Sequence, residues 1–348
     1  MKIESNRFFT SPSPHIRAEE STRNIMTDVL VALLFPLIMS VYFFGWRTLL
    51  IALVSVFSCM FFEWGYDRVT KQKTTVRDLT STVTGLLIAL CLPVSVPVWI
   101  PVFGAFFAIV VVKKLYGGLG KNFLNPALTA RAFMYSWPAL VSVWIKPNLG
   151  ERAISVFGRV SRAALDPEII ASLTPLGKMK LGYLPSFAGG NTGVISSLRD
   201  VAVGNVAGAM GEVSAIVIVA AAIYLLVRRV ITIHIPAAYV GTVAILSLLF
   251  PLGGNPGYLW AIYSVCSGGL LFGAVFLATD YATSPVTPRG RIYYGIGCGI
   301  LTFLIRYFGV YEDGVTFAIL IMNCVACFMD KLCRPVRFGA SKKGGARK

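Results

Sequence analysis

Ten apolar runs, interrupted after the fifth by one long polar stretch at residues 146 to 204, leave this chain almost no way to fold in water. A helix covers the hydrocarbon core of a bilayer with about 20 apolar residues, or somewhat fewer where the protein is locally thin. The runs lie near 27 to 44, 46 to 62, 79 to 93, 98 to 112, 123 to 144, 205 to 227, 235 to 250, 258 to 279, 292 to 309 and 315 to 329. In lipid each backbone N–H and C=O must find its partner inside the protein, and runs of this length do so as helices. The expected fold is therefore an all-α polytopic membrane protein of about ten transmembrane helices. Composition agrees: 56% of the residues are hydrophobic and 14% charged, whereas soluble chains carry about 25% charged residues.

The net charge of +16 is spread over short loops and chain ends rather than gathered into one stripe, so it argues for membrane topology and against nucleic-acid binding. Of the seven cysteines, Cys59, Cys91, Cys266, Cys298, Cys324 and Cys327 sit in apolar runs and Cys333 just beyond the last, which argues against a disulfide framework. Residues 1 to 26 are polar and of mixed charge, so the first membrane helix is expected to serve as the insertion signal. Five parts follow: an N-terminal arm (1 to 26), a first membrane half (27 to 145), the polar loop (146 to 204), a second half (205 to 330) and a basic tail (331 to 348).

Lys and Arg recur in alternate short loops, at 63 to 78, 113 to 121, 228 to 229 and 289 to 291, and at both termini, while the intervening loops are poor in them. The positive-inside rule then puts both termini in the cytoplasm and the 146 to 204 loop outside; that loop has its own Lys and Arg residues, but long loops vote weakly. Five runs on each side give the halves opposite orientation, the arrangement of an inverted repeat, in which sites form near the midplane at broken helices.

Several segments offer chemistry. Gly117-Gly118-Leu119-Gly120-Lys121-Asn122-Phe123-Leu124-Asn125-Pro126 opens the fifth run, and Asn122 and Asn125 either cap and glue helices or hydrogen-bond a planar heterocycle. Glu212, in Gly208-Ala209-Met210-Gly211-Glu212, faces a cavity or an ionic partner if it lies within the sixth span, and is interfacial if the span starts later. Asp280, in Thr279-Asp280-Tyr281-Ala282-Thr283-Ser284-Pro285, is either a cation ligand or a turn former. Arg131 and Arg306 are cations within apolar runs, free to pair with a phosphate or an acid, or in the case of Arg306 to snorkel. Cys324 and Cys327 form a lone C-x-x-C, which is too few thiolates for a metal site and reads as packing. In the polar loop, Thr174 precedes Pro175, with Lys178 and Lys180 close by as potential phosphate contacts. No strand, glycine-rich turn and helix unit for NAD is present.

The strings GGLGKNFLNPALTARAF, GNVAGAMGEVSA, FLATDYATSPVTPRGRIYYG and IRYFGVYEDGVTFAILIMN, in this order, resemble the D subunit of the Rnf ion-translocating electron-transport complexes, a family shared with the B subunit of the sodium-pumping NADH:quinone oxidoreductase. The resemblance runs over about residues 20 to 338. It implies two inverted five-helix halves with a urea-transporter-like fold, in a bacterial inner membrane. It further implies FMN joined as a phosphoester to the threonine of an S-G-A-T-P-L motif by a flavin transferase. Here that stretch reads Ala171-Ser172-Leu173-Thr174-Pro175-Leu176, so the acceptor Thr174 and the Pro-Leu match while three preceding positions depart. A noncovalent riboflavin near Asn122 and Asn125 is also implied. The whole complex would couple ferredoxin:NAD oxidoreduction to Na+ or H+ export, with this chain as one relay beside a second flavin-bearing subunit and iron-sulfur subunits. Glu212 and Asp280 are the candidates for the ion path. The short arm before the first run favours the Rnf reading over the quinone-reductase homologue. A urea-transporter-like channel without redox cofactor is the alternative from another class.

Overall fold

The computed structural model describes residues 21–72, 74–145, 147, 174–180, 198–252, 256–309, 311 and 313–334. Among them every regular element is helical. Helix α1 spans Thr22–Phe44, and α2 spans Trp46–Val69. Helix α3, Thr80–Leu90, stops after 11 residues, and Trp99–Phe106 (α4) continues as a π-helix over Phe107–Lys114. Next come Pro126–Met134 (α5), the short Pro175–Lys180 (α6) and Leu198–Val203 (α7). The second half holds Ala215–Val227 (α8), His234–Leu249 (α9), Gly257–Cys266 (α10), Leu270–Phe272 (α11) running into a π segment at Gly273–Leu277, Pro288–Phe308 (α12) and Val315–Leu332 (α13).

Each apolar run contains helix, but several runs are cut short. Among the described residues, three helices, α1, α2 and α13, are long and apolar enough to cross a membrane alone, and α10 with the helix after it makes a fourth candidate bent by 57°. The fifth run is helical over Pro126–Met134, turns, and is helical again only over the short Pro138–Val141, and the sixth becomes α-helical only at Ala215. Local chemistry sets these starts. Asn125 Oδ1 accepts from the amides of Ala127 and Leu128 ahead of Pro126, Ser214 caps α8 through Val217, and Thr287 caps α12 ahead of Pro288. Gly117, Gly118 and Gly120 all have positive φ (103°, 92° and 84°), so the turn into α5 needs residues without a Cβ.

Stopping a helix at depth strands carbonyls, and the fold answers with a buried cation. Arg47, 1% exposed at the start of α2, donates to Val94 O at 2.9 Å and Val96 O at 3.1 Å in the segment after α3. The tightest packing pairs α9 with α12 and α2 with α3, while α1 crosses to α8 in the other half. The halves also join through Asn125 Nδ2 donating to Leu277 O, and the Met210 amide donating to Leu92 O.

Candidate functional site

Charge is inside this molecule and grease is outside. Glu63, Asp67, Lys113, Lys114, Arg131, Glu212 and Arg306 are buried, whereas Ile38, Phe57, Phe61, Leu249 and Phe308 are exposed. Water would penalise an apolar surface of that extent, and lipid does not.

At the meeting of the halves, Arg131 on α5 contacts Glu212, just before α8, with Nη2 3.2 Å from Oε1. Glu212 is therefore an internal ion-pair partner rather than an interfacial group. A second pair lies beside it: Arg306 on α12 binds Asp313 Oδ1 at 2.9 Å, and its other nitrogens donate to Asp313 O and Ser264 O. Arg306 is 3% exposed, so it does not snorkel. The link between the pairs is Gly269, at the bend between α10 and α11. A Cβ there would sit 2.6 Å from both Glu212 Oε1 and Asp313 Oδ2, and the Gly269 amide donates to Asp313 Oδ1. Two carboxylates thus approach one glycine, each anchored by an arginine.

Toward the other end of α5 lies an open cavity whose polar lining includes Thr80, Lys113, Asn122, Asn125 and Asp280. The two asparagines have parted roles. Asn125 spends its side chain on capping α5 and on Leu277 O. Asn122 donates to Leu124 O, but its Oδ1 is buried without a partner among the described residues, an orphan that a ligand donor would satisfy. The Asp280 carboxylate accepts from the Thr283 hydroxyl at 3.2 Å and weakly from the Ala282 amide, as a turn former does, and also faces the cavity. Burial pushes its pKa above the usual aspartate value, opposed by those two donors.

Thr174 opens α6. Its Oγ1 accepts from the Gly177 amide at 3.1 Å, its carbonyl accepts from the Lys178 amide, and it is 9% exposed. The helix is pinned by Leu176, which packs with Val201, Val206, Trp260 and Tyr263, and by Lys180, whose Nζ donates to Gly309 O at 3.0 Å. Ala171, Ser172 and Leu173 lie outside the described residues, as does most of the 146 to 204 loop.

One cluster is not evident from the sequence pattern. Lys113 and Lys114 fall in a short basic loop by the apolar-run boundaries, yet they end the π segment and are buried against Glu63 and Asp67 of α2, at 2.9 Å for Lys113–Glu63 and 2.6 Å for Lys114–Asp67. Glu63 and Asp67, four apart near the end of an apolar run, are the signal, since one helix face then carries two acids that need cations. Cys324 and Cys327 also differ from expectation: both are exposed on α13 rather than packed within the chain. No metal-binding group of His, Cys, Asp and Glu occurs among the described residues.

Inverted polarity, broken helices and paired charges at the seam of two halves define a polytopic membrane protein built around a polar interior. Residues 9–339 match the NQR2, RnfD, RnfE family, and the chain belongs to it. It is 38% identical over 337 residues to the D subunit of the Na+-translocating ferredoxin:NAD+ oxidoreductase complex of Acetobacterium woodii, covering 95% of each chain. It is 35% identical to the D subunit of the proton-translocating ferredoxin:NAD+ oxidoreductase complex of Clostridium ljungdahlii, covering 98% of this chain and 99% of the relative. Identity to the D subunit of the ion-translocating oxidoreductase complex of Aliivibrio salmonicida is 32%, covering 96% and 99%.

Proposed function

We propose that this chain is the membrane flavoprotein subunit of an Rnf-type ferredoxin:NAD oxidoreductase, a redox-driven ion translocase, and that it relays electrons through FMN bound covalently to Thr174. The observation that carries the reading is Thr174 at the head of a helix fixed to the helical body, in a chain similar over nearly its whole length to subunits so named. The residues present fit a phosphoester: the hydroxyl is intact, and the Gly177 amide that donates to Oγ1 is a donor for an ester oxygen at the same place. Lys178 and Lys180 supply positive charge on the same short helix, Lys180 being tied to Gly309 O when unmodified.

The cavity at Asn122 suits a second, noncovalent flavin such as riboflavin, whose heterocycle offers the N–H that the orphan Oδ1 lacks. A bound flavin supplies one- and two-electron redox chemistry, and the protein supplies position and electrostatics. Glu212, paired with Arg131 where the halves meet, and Asp280 at the cavity are the groups assigned to the ion path. Relatives similar to this chain are named for Na+ and for H+, so similarity at this level is compatible with either coupling ion.

In this reading the ten runs form two inverted halves, both termini face the cytoplasm of a bacterial inner membrane, and the 146 to 204 loop with Thr174 faces outside. The partners are the other subunits of the complex, among them a second flavoprotein and iron-sulfur proteins, and a flavin transferase acts during maturation.

The test is a denaturing gel of the chain produced with its transferase. Wild type should fluoresce as a flavoprotein, Thr174→Val should not, and the peptide bearing Thr174 should gain the mass of FMN less water. An unmodified peptide from the native host would overturn the assignment and favour a channel without redox cofactor.

A further inference from the structure

The buried lysine at the cavity wall has no part in the function proposed above. Lys113 is 3% exposed and is the only Lys or Arg among the described residues lining the cavity. Its ammonium has three N–H bonds. One goes to Glu63 Oε1 at 2.9 Å and one to Thr80 Oγ1 at 2.7 Å, and Thr80 itself faces the cavity. Behind them, Lys114 binds Asp67 at 2.6 Å and Glu63 at 3.2 Å, so two cations and two anions balance out of water. On the cavity side stand the orphan Asn122 Oδ1 and the Asp280 carboxylate.

A lysine placed only for stability needs no contact with a cavity. Here the π segment Phe107–Lys114 carries two successive lysines to the same pair of acids, and the first reaches them at the cavity wall. We infer that Lys113 directs its remaining N–H and its charge at the heterocycle of the ligand in this cavity, and that Glu63, by pairing with it, moderates that charge and so sets the ligand's reduction potential. The inference rests on the reading of the cavity as a noncovalent flavin site. A flavin ring that takes up two electrons and one proton at neutral pH keeps one negative charge near N1 and the C2 carbonyl, and a fixed cation beside it favours the reduced form.

Removing either member of the pair must then move the potential in opposite directions. The full chain carrying Thr174→Val, purified in detergent with riboflavin supplied, holds flavin only in the cavity, and dithionite titration against a mediator reads its midpoint. Lys113→Met should lower the midpoint, Glu63→Gln should raise it by exposing the ring to an unbalanced lysine, and Lys113→Arg should stay near the parent. Should Lys113→Met bind riboflavin too weakly to titrate, the rise in Glu63→Gln and the unchanged midpoint of Lys113→Arg still support the inference. Bound riboflavin whose midpoint is the same in Glu63→Gln and the parent, or falls, overturns the inference and leaves the cavity reading standing. A parent chain that binds no riboflavin overturns both.

Discussion

Arg131 and Glu212 lie 81 positions apart in the chain, and their side chains meet 3.2 Å apart where the two halves join. Arg131 is 2% exposed and Glu212 8%, so both charges are largely withdrawn from water. In such a place the pair is held less by what its contact contributes than by what separation would cost.

Glu212→Ala should therefore destabilise the chain strongly, by about 3–5 kcal/mol, because it strands a buried guanidinium. Thermal unfolding in detergent reads this directly, and Glu212→Gln, which keeps an acceptor, should lose less. Equal melting of wild type and Glu212→Ala would mean that Arg131 has another anion.

On the function proposed here, Glu212→Gln should leave flavin content unchanged while lowering the number of ions moved per electron in reconstituted vesicles. Full coupling in that variant would return Glu212 to a purely structural role.

Gly269→Ala places a methyl group 2.6 Å from Glu212 Oε1 and 2.6 Å from Asp313 Oδ2, so both ion pairs must shift. Overpacking of this kind costs about 1–3 kcal/mol. Gly241→Ala, on a helix face with nothing within 4 Å, is the control and should be neutral. Identical melting of the two variants would show that the carboxylates are not crowded at Gly269.

Leu176→Ala removes the side chain that seats α6 against Trp260 and Tyr263. A buried Leu→Ala change costs about 2–5 kcal/mol, and on a six-residue helix the loss should be local. Hydrogen exchange should quicken over residues 175–180 while the main melting transition stays in place. Unchanged exchange there would leave Lys180 and Gly309 as the real anchor.

The helical class was legible because apolar runs of near-spanning length report directly on the solvent around a chain. The cap at Asn125 was legible as one of two readings, since Asn accepts from the amides that follow it, whereas Ser214, inside an apolar run in the letters, and Thr287 emerge as caps only in the structure. The interruptions were less legible. An apolar letter reads alike in a helix and in the irregular chain before Ala215, and the 57° bend at 267–269 depends on which side chains press against Gly268 and Gly269.

The burial of Lys113 and Lys114 shows the limit most clearly. From the letters alone, two lysines after an apolar run are loop charges; in the structure they face Glu63 and Asp67, about 50 positions earlier. Whatever depends on neighbours along the chain can be read from the letters: the helical class, the cap at Asn125 and the apolar exterior. Which buried charge meets which emerges only in the folded molecule, because a pair energy depends on separation in space and on the exclusion of water, and neither quantity is a property of a single segment.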